Sequence, residues 1–229
     1  QAILHDQALS SCLLKVANTT SHVSVHRVNT VSRAAIMLGI QAVKNICLTS
    51  KILDALLQSK NLLPPVYQRL LMLMANAFYA GLLARMMLPD HHEDTKEEVY
   101  LAAMLYHIGE TAFWSSGSPL SEQLIRQASA LSTTEFSHYC REETGINFDE
   151  LSASLARSWN LGELLLKALD QPQSRTLEMQ TISLANQLSA AIHTPPANKA
   201  EFNKLLQDIA RLMNMGIAPF NIASSVILI

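Results

Sequence analysis

Apolar positions along this chain recur with the period of a helix, and long alternating β patterns are absent. The clearest case is Val99 to Trp114. Leu101, Met104, Leu105 and Ile108 fall at i, i+3, i+4 and i+7, the spacing of one apolar helix face. Thr95 followed three residues later by Glu98 fits a capping box, which predicts a helix start near Lys96. Gly109 can take the left-handed conformation that stops a helix, so an end is expected there.

The same reading places helices on both sides. Residues 6–18 form one, with Asp6 as cap, Leu9, Leu13, Val16 and Ala17 on the inner face and Asn18 at the end. A polar loop with His22 and His26 follows. A short helix over 29–39 stops at Gly39, and a longer one runs over about 40–57. Asn61-Leu-Leu-Pro64-Pro65 is a breaker, which divides the chain into an N-terminal helical subdomain, 1–62, and a larger helical subdomain, 63–229. Further helices are expected at about 66–87, 119–131, 133–143, 147–159, 161–170, 177–192 and 199–214. Ser132 with Glu135 and Asn147 with Glu150 supply capping patterns, Gly145 an end, and Pro119 a first helical turn. Pro172 and Pro195-Pro196 separate the later elements, and the apolar tail 226–229 is expected to pack on the core.

Composition agrees with an all-α packed protein. The 229 residues are 49% hydrophobic and 16% charged, which excludes a disordered chain. A net charge of -2 argues against a broad basic surface for nucleic acid. Cys12, Cys47 and Cys140 are odd in number and far apart, so they read as small buried hydrophobes in a reducing cytoplasm. The run Leu70 to Ala84 is interrupted by Asn76 and bounded by Arg69 and Arg85. At about 15 residues it is shorter than the ~20 a membrane span needs, and a core helix is expected instead. No signal peptide pattern is visible, and the start at Gln1 in place of Met suggests a segment of a longer protein.

Met104-Leu105-Tyr106-His107-Ile108-Gly109 resembles the Leu-Leu-His-Asp-Ile-Gly frame of the HD superfamily of metal-dependent phosphohydrolases. Three further blocks narrow the resemblance: Asp6-Gln-Ala-Leu9, Leu13-Leu14-Lys-Val-Ala-Asn18 and Ala35-Ile36-Met-Leu-Gly39. They are similar to the N-terminal motifs of one degenerate branch, the HD-related output domain (HDOD) family. The resemblance spans roughly residues 6–190. It implies an HD-domain-like helical bundle with an N-terminal helical subdomain, acting as a regulatory or output module in bacterial signal transduction.

HD hydrolases hold one or two metal ions with imidazoles and carboxylates, and the metal generates the attacking hydroxide. On the resemblance, the first metal-binding His falls on Ala75, and the His-Asp pair falls on Tyr106 and His107. A later His falls on Phe148, and a His-His pair on Pro172 and Gln173. These positions read as a vestigial pocket: a methyl or phenyl group cannot ligate, Tyr is a rare ligand, and one His makes no cage. The expectation is therefore no catalysis, no metal and no cofactor, with a protein or small ligand as partner. The alternative is a phosphohydrolase of nucleotides or cyclic dinucleotides in which His107 converges with Glu110 or Asp149.

Other constellations are weaker. His91-His92-Glu93-Asp94 reads as a solvated turn. Ser137-His138 lacks an evident acid partner. Glu142-Glu143 and Asp149-Glu150 read as solvated helix ends, and there is no Gly-rich phosphate loop. Thr30 to Ile40 could open a helix-turn-helix, but the following Gln41-Ala-Val-Lys-Asn45-Ile-Cys-Leu offers few side chains to read bases. Leu161 to Leu166 could be core or interface.

Overall fold

The computed structural model describes residues 6–20, 28–40, 43, 62–128, 133–145, 147–171, 176–193 and 199–213. The expected helix over 40–57 lies almost wholly outside these residues. His22, His26, Cys47, Asn61, Ser132, Pro172, Gln173, Pro195, Pro196 and the tail 226–229 also lie outside them. The described residues form eleven helices and no strand, as the periodicity predicts. They are α1 (Gln7–Thr20), α2 (31–40), α3 (Pro64–Met86), α4 (Glu93–Leu105), α5 (Ile108–Ser115) and α6 (Pro119–Ala128). There follow α7 (Thr133–Thr144), α8 (Phe148–Trp159), α9 (Glu163–Asp170), α10 (Leu177–His193) and α11 (Lys199–Leu212).

Several ends are set by the residues expected to set them. Asp6 Oδ1 accepts from Leu9 N at 3.0 Å and caps α1. Asn147 Oδ1 accepts from Asp149 N at 3.0 Å at the start of α8. Gly145, at φ +66, closes α7 with its N–H on Arg141 O at 2.9 Å.

Two compact units make up the chain, one of Gln1–Ala75 with His107–Gly162, the other of Asn76–Tyr106 with Glu163–Ile229. In the first, α8 packs against α5 and α1. Its core gathers Val66 and Leu73 of α3, Trp114 of α5, Leu124 and Ile125 of α6, and Cys140 of α7. Asn18 ties this unit together. Its amide donates to Val28 O at 3.0 Å and to Asn160 O at 2.9 Å, and its carbonyl accepts from Val28 N at 2.8 Å. Asn160 caps α8 in the left-handed conformation, at φ 53. The Asn that closes the second N-terminal motif is thus a clamp on backbone groups and lies in the last turn of α1, which runs on to Thr20 instead of ending there.

In the second unit α4 packs against α9 and α10, and α10 packs against α11. Here two expectations fail. Helix α4 starts at Glu93, capped by His92 Nδ1 accepting from Asp94 N at 3.3 Å, and not near Lys96. It also has no single apolar face: every residue from Val99 to Leu105 is buried. Neighbouring helices enclose it, and Ala102 and Ala103 are small enough to let them approach. On one side Gly81 of α3 makes room for Tyr100. A Cβ at Gly81 would stand 3.0 Å from the Tyr100 ring. Burial pushes the Tyr100 hydroxyl up to about 12, although Arg85 acts in the opposite direction.

Helix α3 buries Leu73, Ala77, Ala80, Leu83 and Ala84, so the core-helix expectation holds for that face. Leu71, Met72, Met74 and Tyr79 are exposed on the other. No helix among the described residues is long and apolar enough to cross a membrane. Leu161 and Leu165 are buried, which places that leucine-rich stretch in the core.

Candidate functional site

The Tyr106-His107-Ile108-Gly109 frame is a turn between two helices. Tyr106 follows the last residue of α4, with its N–H on Ala103 O at 3.4 Å, and His107 precedes α5, its carbonyl accepting from Thr111 N at 3.2 Å. Gly109 therefore lies inside α5 and ends no helix, which corrects the expected terminator. Its φ is not in the left-handed region. The glycine is required for a different reason. A Cβ there would lie 2.5 Å from Ser152 N and 2.7 Å from Phe148 O, both backbone atoms of α8. Gly109 N donates to Ser152 Oγ at 3.0 Å across this contact. The glycine of the frame is thus fixed by the close approach of α5 and α8.

One residue further on, Glu110 turns inward. Its Oε1 accepts from Arg69 Nε at 2.9 Å, from Arg69 Nη2 at 2.5 Å and from Trp114 Nε1 at 3.1 Å. Glu110 and Trp114 are one helical turn apart, and Arg69 reaches them from α3. Stranding a buried charge by removing its partner costs about 3–5 kcal/mol in general. The side chains keep 12% (Glu110) and 23% (Arg69) of their surface, so the cost here lies toward the low end. Cys140 is fully buried nearby. Desolvation first, then the Glu110 charge, raises its thiol to about 11, with Arg69 opposing. It is unreactive as a nucleophile.

His107 keeps solvent-exposed surface, yet protein surrounds the ring closely enough to hold its pKa below the usual 6.5 by desolvation. Glu110 and Asp149 act in the opposite direction and Arg69 in the same one. This desolvation favours the neutral form of the ring. Phe148, the first residue of α8, is half-buried with its ring 5.4 Å from that of Phe113. Ala75 is half-buried on α3. Tyr106 borders a narrow cleft of about 10 Å³ with Ala168, Gln171, Met179 and Ser183.

These side chains do not fit a metal centre of the hydrolase type. The positions to which the resemblance assigns ligands, Ala75, Tyr106 and Phe148, carry a methyl, a phenol and a phenyl group, and the Glu110 carboxylate accepts from Arg69 and Trp114. Among the described residues, no three His, Cys, Asp or Glu side chains gather as a metal-holding group. Glu93 of the His91–Asp94 stretch instead pairs with Arg85 at 2.7 Å and Lys96 at 3.1 Å. His138 does have an acid partner, contrary to expectation: Glu142, one turn along α7, is 3.5 Å away, and both are exposed. Cys12 is exposed as well, on the outer side of α1, and only Cys140 of the described cysteines matches the expected buried thiol.

Sequence reasoning passed over Arg69 and Trp114. A signal was present, since Arg69 is the sole charge between Val66 and Ala84. A lone charge in an apolar helix calls for a buried partner.

The sequence matches the HDOD domain family over residues 1–174, well over half of the chain. The chain belongs to the HDOD family. Solved structures share this helical fold. The MmoQ response regulator of Methylococcus capsulatus superposes with a TM-score of 0.71 at 17% identity, covering 95% of this chain and 86% of that one. A virulence factor of Campylobacter jejuni gives 0.65 at 16% identity, covering 94% and 80%. An HDOD domain protein of Geobacter sulfurreducens gives 0.53 at 18% identity, covering 99% and 81%. At these identities the likeness concerns the fold. A comparison with curated proteins found no significant match.

Proposed function

We propose that this HDOD domain is a non-catalytic regulatory or output module of bacterial signal transduction. In this reading it is cytoplasmic and acts by binding a protein partner or a small ligand. The observation that carries the proposal is the replacement of ligand chemistry at the positions the family resemblance assigns to the metal. Ala75, Tyr106 and Phe148 stand there, and His107 is the one imidazole among these positions, with the nearby Glu110 carboxylate held by Arg69. Hydroxide generation at neutral pH requires a metal held by several such groups. Membership of the HDOD family and the likeness to a response regulator support a signalling role by analogy of fold. The near-neutral charge supports a protein or small ligand over nucleic acid.

The test is metal content of the purified protein, with thermal shift in Mn, Fe, Mg and Zn and turnover of phosphodiesters and cyclic dinucleotides. The expected result is no stoichiometric metal, no shift and no turnover. One or two metals per chain together with turnover would establish the phosphohydrolase instead.

A further inference from the structure

Helix α3 carries an apolar face that the core does not use. Tyr67, Leu71, Met74, Phe78 and Leu82 recur at i, i+4, i+7, i+11 and i+15, one stripe along the helix. Met72, Tyr79 and Met86, seven residues apart, flank it. Tyr67, Leu71, Met72, Met74, Tyr79 and Met86 are 38% to 56% exposed, and Phe78 and Leu82 are half-buried. The core packs on the other side through Leu73, Ala77, Ala80 and Ala84. No Asp or Glu occurs in α3. Of its two charges Arg69 turns to Glu110, so Gln68 and Arg85 are the polar residues that border the stripe. We propose that this face is the contact of a homodimer, with α3 of one copy laid antiparallel on α3 of the other about a two-fold axis near Asn76 and Ala77.

Two observations select a second copy over a foreign partner. The first is the symmetry of the pattern. Reversal about that midpoint brings Tyr67 level with Met86, Leu71 with Leu82, Met74 with Tyr79 and Ala75 with Phe78, so apolar meets apolar along the whole stripe. The same reversal brings Gln68 level with Arg85. An isologous contact requires such self-complementarity, whereas a foreign partner imposes no symmetry on the face. Arg85 pairs with Glu93 through Nη2 at 2.7 Å, and a guanidinium has further N–H groups to donate to an amide oxygen. The two Arg85 side chains would stand about 25 Å apart along the helix pair, so like charges do not meet. The second observation is area. At roughly 200 Å² for a fully open side chain of this size, six that are about half open offer on the order of 550 Å² per copy, or about 1,100 Å² for the pair, above the ~1,000 Å² of a specific interface. The inference rests on α3 alone and stands apart from the non-catalytic reading.

The experiment is sedimentation velocity with light scattering on the full chain, from micromolar to millimolar concentration, for the unsubstituted protein and for Leu71→Glu, Met74→Lys and Gln68→Glu. The expected result is a dimer. Leu71→Glu and Met74→Lys should be monomers with unchanged circular dichroism, since both positions are exposed. Gln68→Glu should lower the dissociation constant several-fold, because it sets a carboxylate level with Arg85 at two places in the dimer. A monomer at every concentration overturns the proposal, and a loss of stability in Leu71→Glu would then show that another segment of the same chain covers the face. A dimer that survives both Leu71→Glu and Met74→Lys places the contact elsewhere and overturns it too. A dimer broken by both but not tightened by Gln68→Glu supports the face and overturns the antiparallel register.

Discussion

His107 is the residue whose chemistry most directly separates a remnant from a working site. Desolvation holds its pKa below 6.5, and Glu110 and Asp149 only partly counter this. A base whose folded pKa is depressed binds fewer protons than the unfolded chain near that pH. Its contribution to stability is therefore whole above about 6.5 and is lost as the pH falls toward the folded pKa. Titration of the imidazole by NMR is expected to give a midpoint below 6.5. The loss of Tm on acidification from pH 7 to 5 should be smaller in His107→Asn than in the unsubstituted protein. A midpoint above 6.5 would show instead that the Glu110 and Asp149 charges dominate the ring. A helix end near Gly109, as expected from the sequence, would favour the charged form of His107 through the local dipole. Protein matter around the ring, which no sequence pattern reports, decides the sign.

At the scale of elements, the α5–α8 contact organises the first unit, and Gly109 is its tightest point. Substitution Gly109→Ala forces a methyl against Ser152 N and Phe148 O, neither of which is the end of a flexible chain. The helices must separate or α5 must shift, at a cost of roughly 1–3 kcal/mol. Chemical denaturation of Gly109→Ala should show that loss even though alanine is the better helix former. Unchanged stability would mean that α5 and α8 do not approach this closely in solution. The glycine itself was legible, since it completes the Ile-Gly frame, but its role was read as a left-handed stop. A glycine that ends a helix and one that admits a neighbouring backbone look alike in sequence, and only the position of α8 tells them apart. Capping was legible where the side chain acts on its own turn, as at Asp6 and Asn147. It misled at Thr95, because His92 caps three residues earlier.

Across the molecule, closure of the first unit depends on Asn18. Its side chain satisfies backbone groups of Val28 and Asn160, residues 10 and 142 positions away. Asn18→Ala leaves those groups without their partner, at about 2 kcal/mol. Asn18→Asp keeps the shape and the acceptor but loses both N–H donors, so it should also destabilise. A fall in Tm for both variants, read by calorimetry, is the expected outcome; an unaffected Asp variant would assign the role to the Val28 N–H alone. What the sequence by itself determined is the all-α architecture, the approximate extent of most described helices and the family, but not α5, which follows the turn at Tyr106-His107. Those follow from periodicity, caps and local motifs, which act over a few residues. The tertiary structure decided the rest: the enclosure of α4 from Val99 to Leu105, the pairing of Glu110 with Arg69, the close approach at Gly109 and the clamp at Asn18. Each depends on groups far apart in the chain meeting where water is excluded. Burial and mutual distance set their energies, and neither is a property of local sequence.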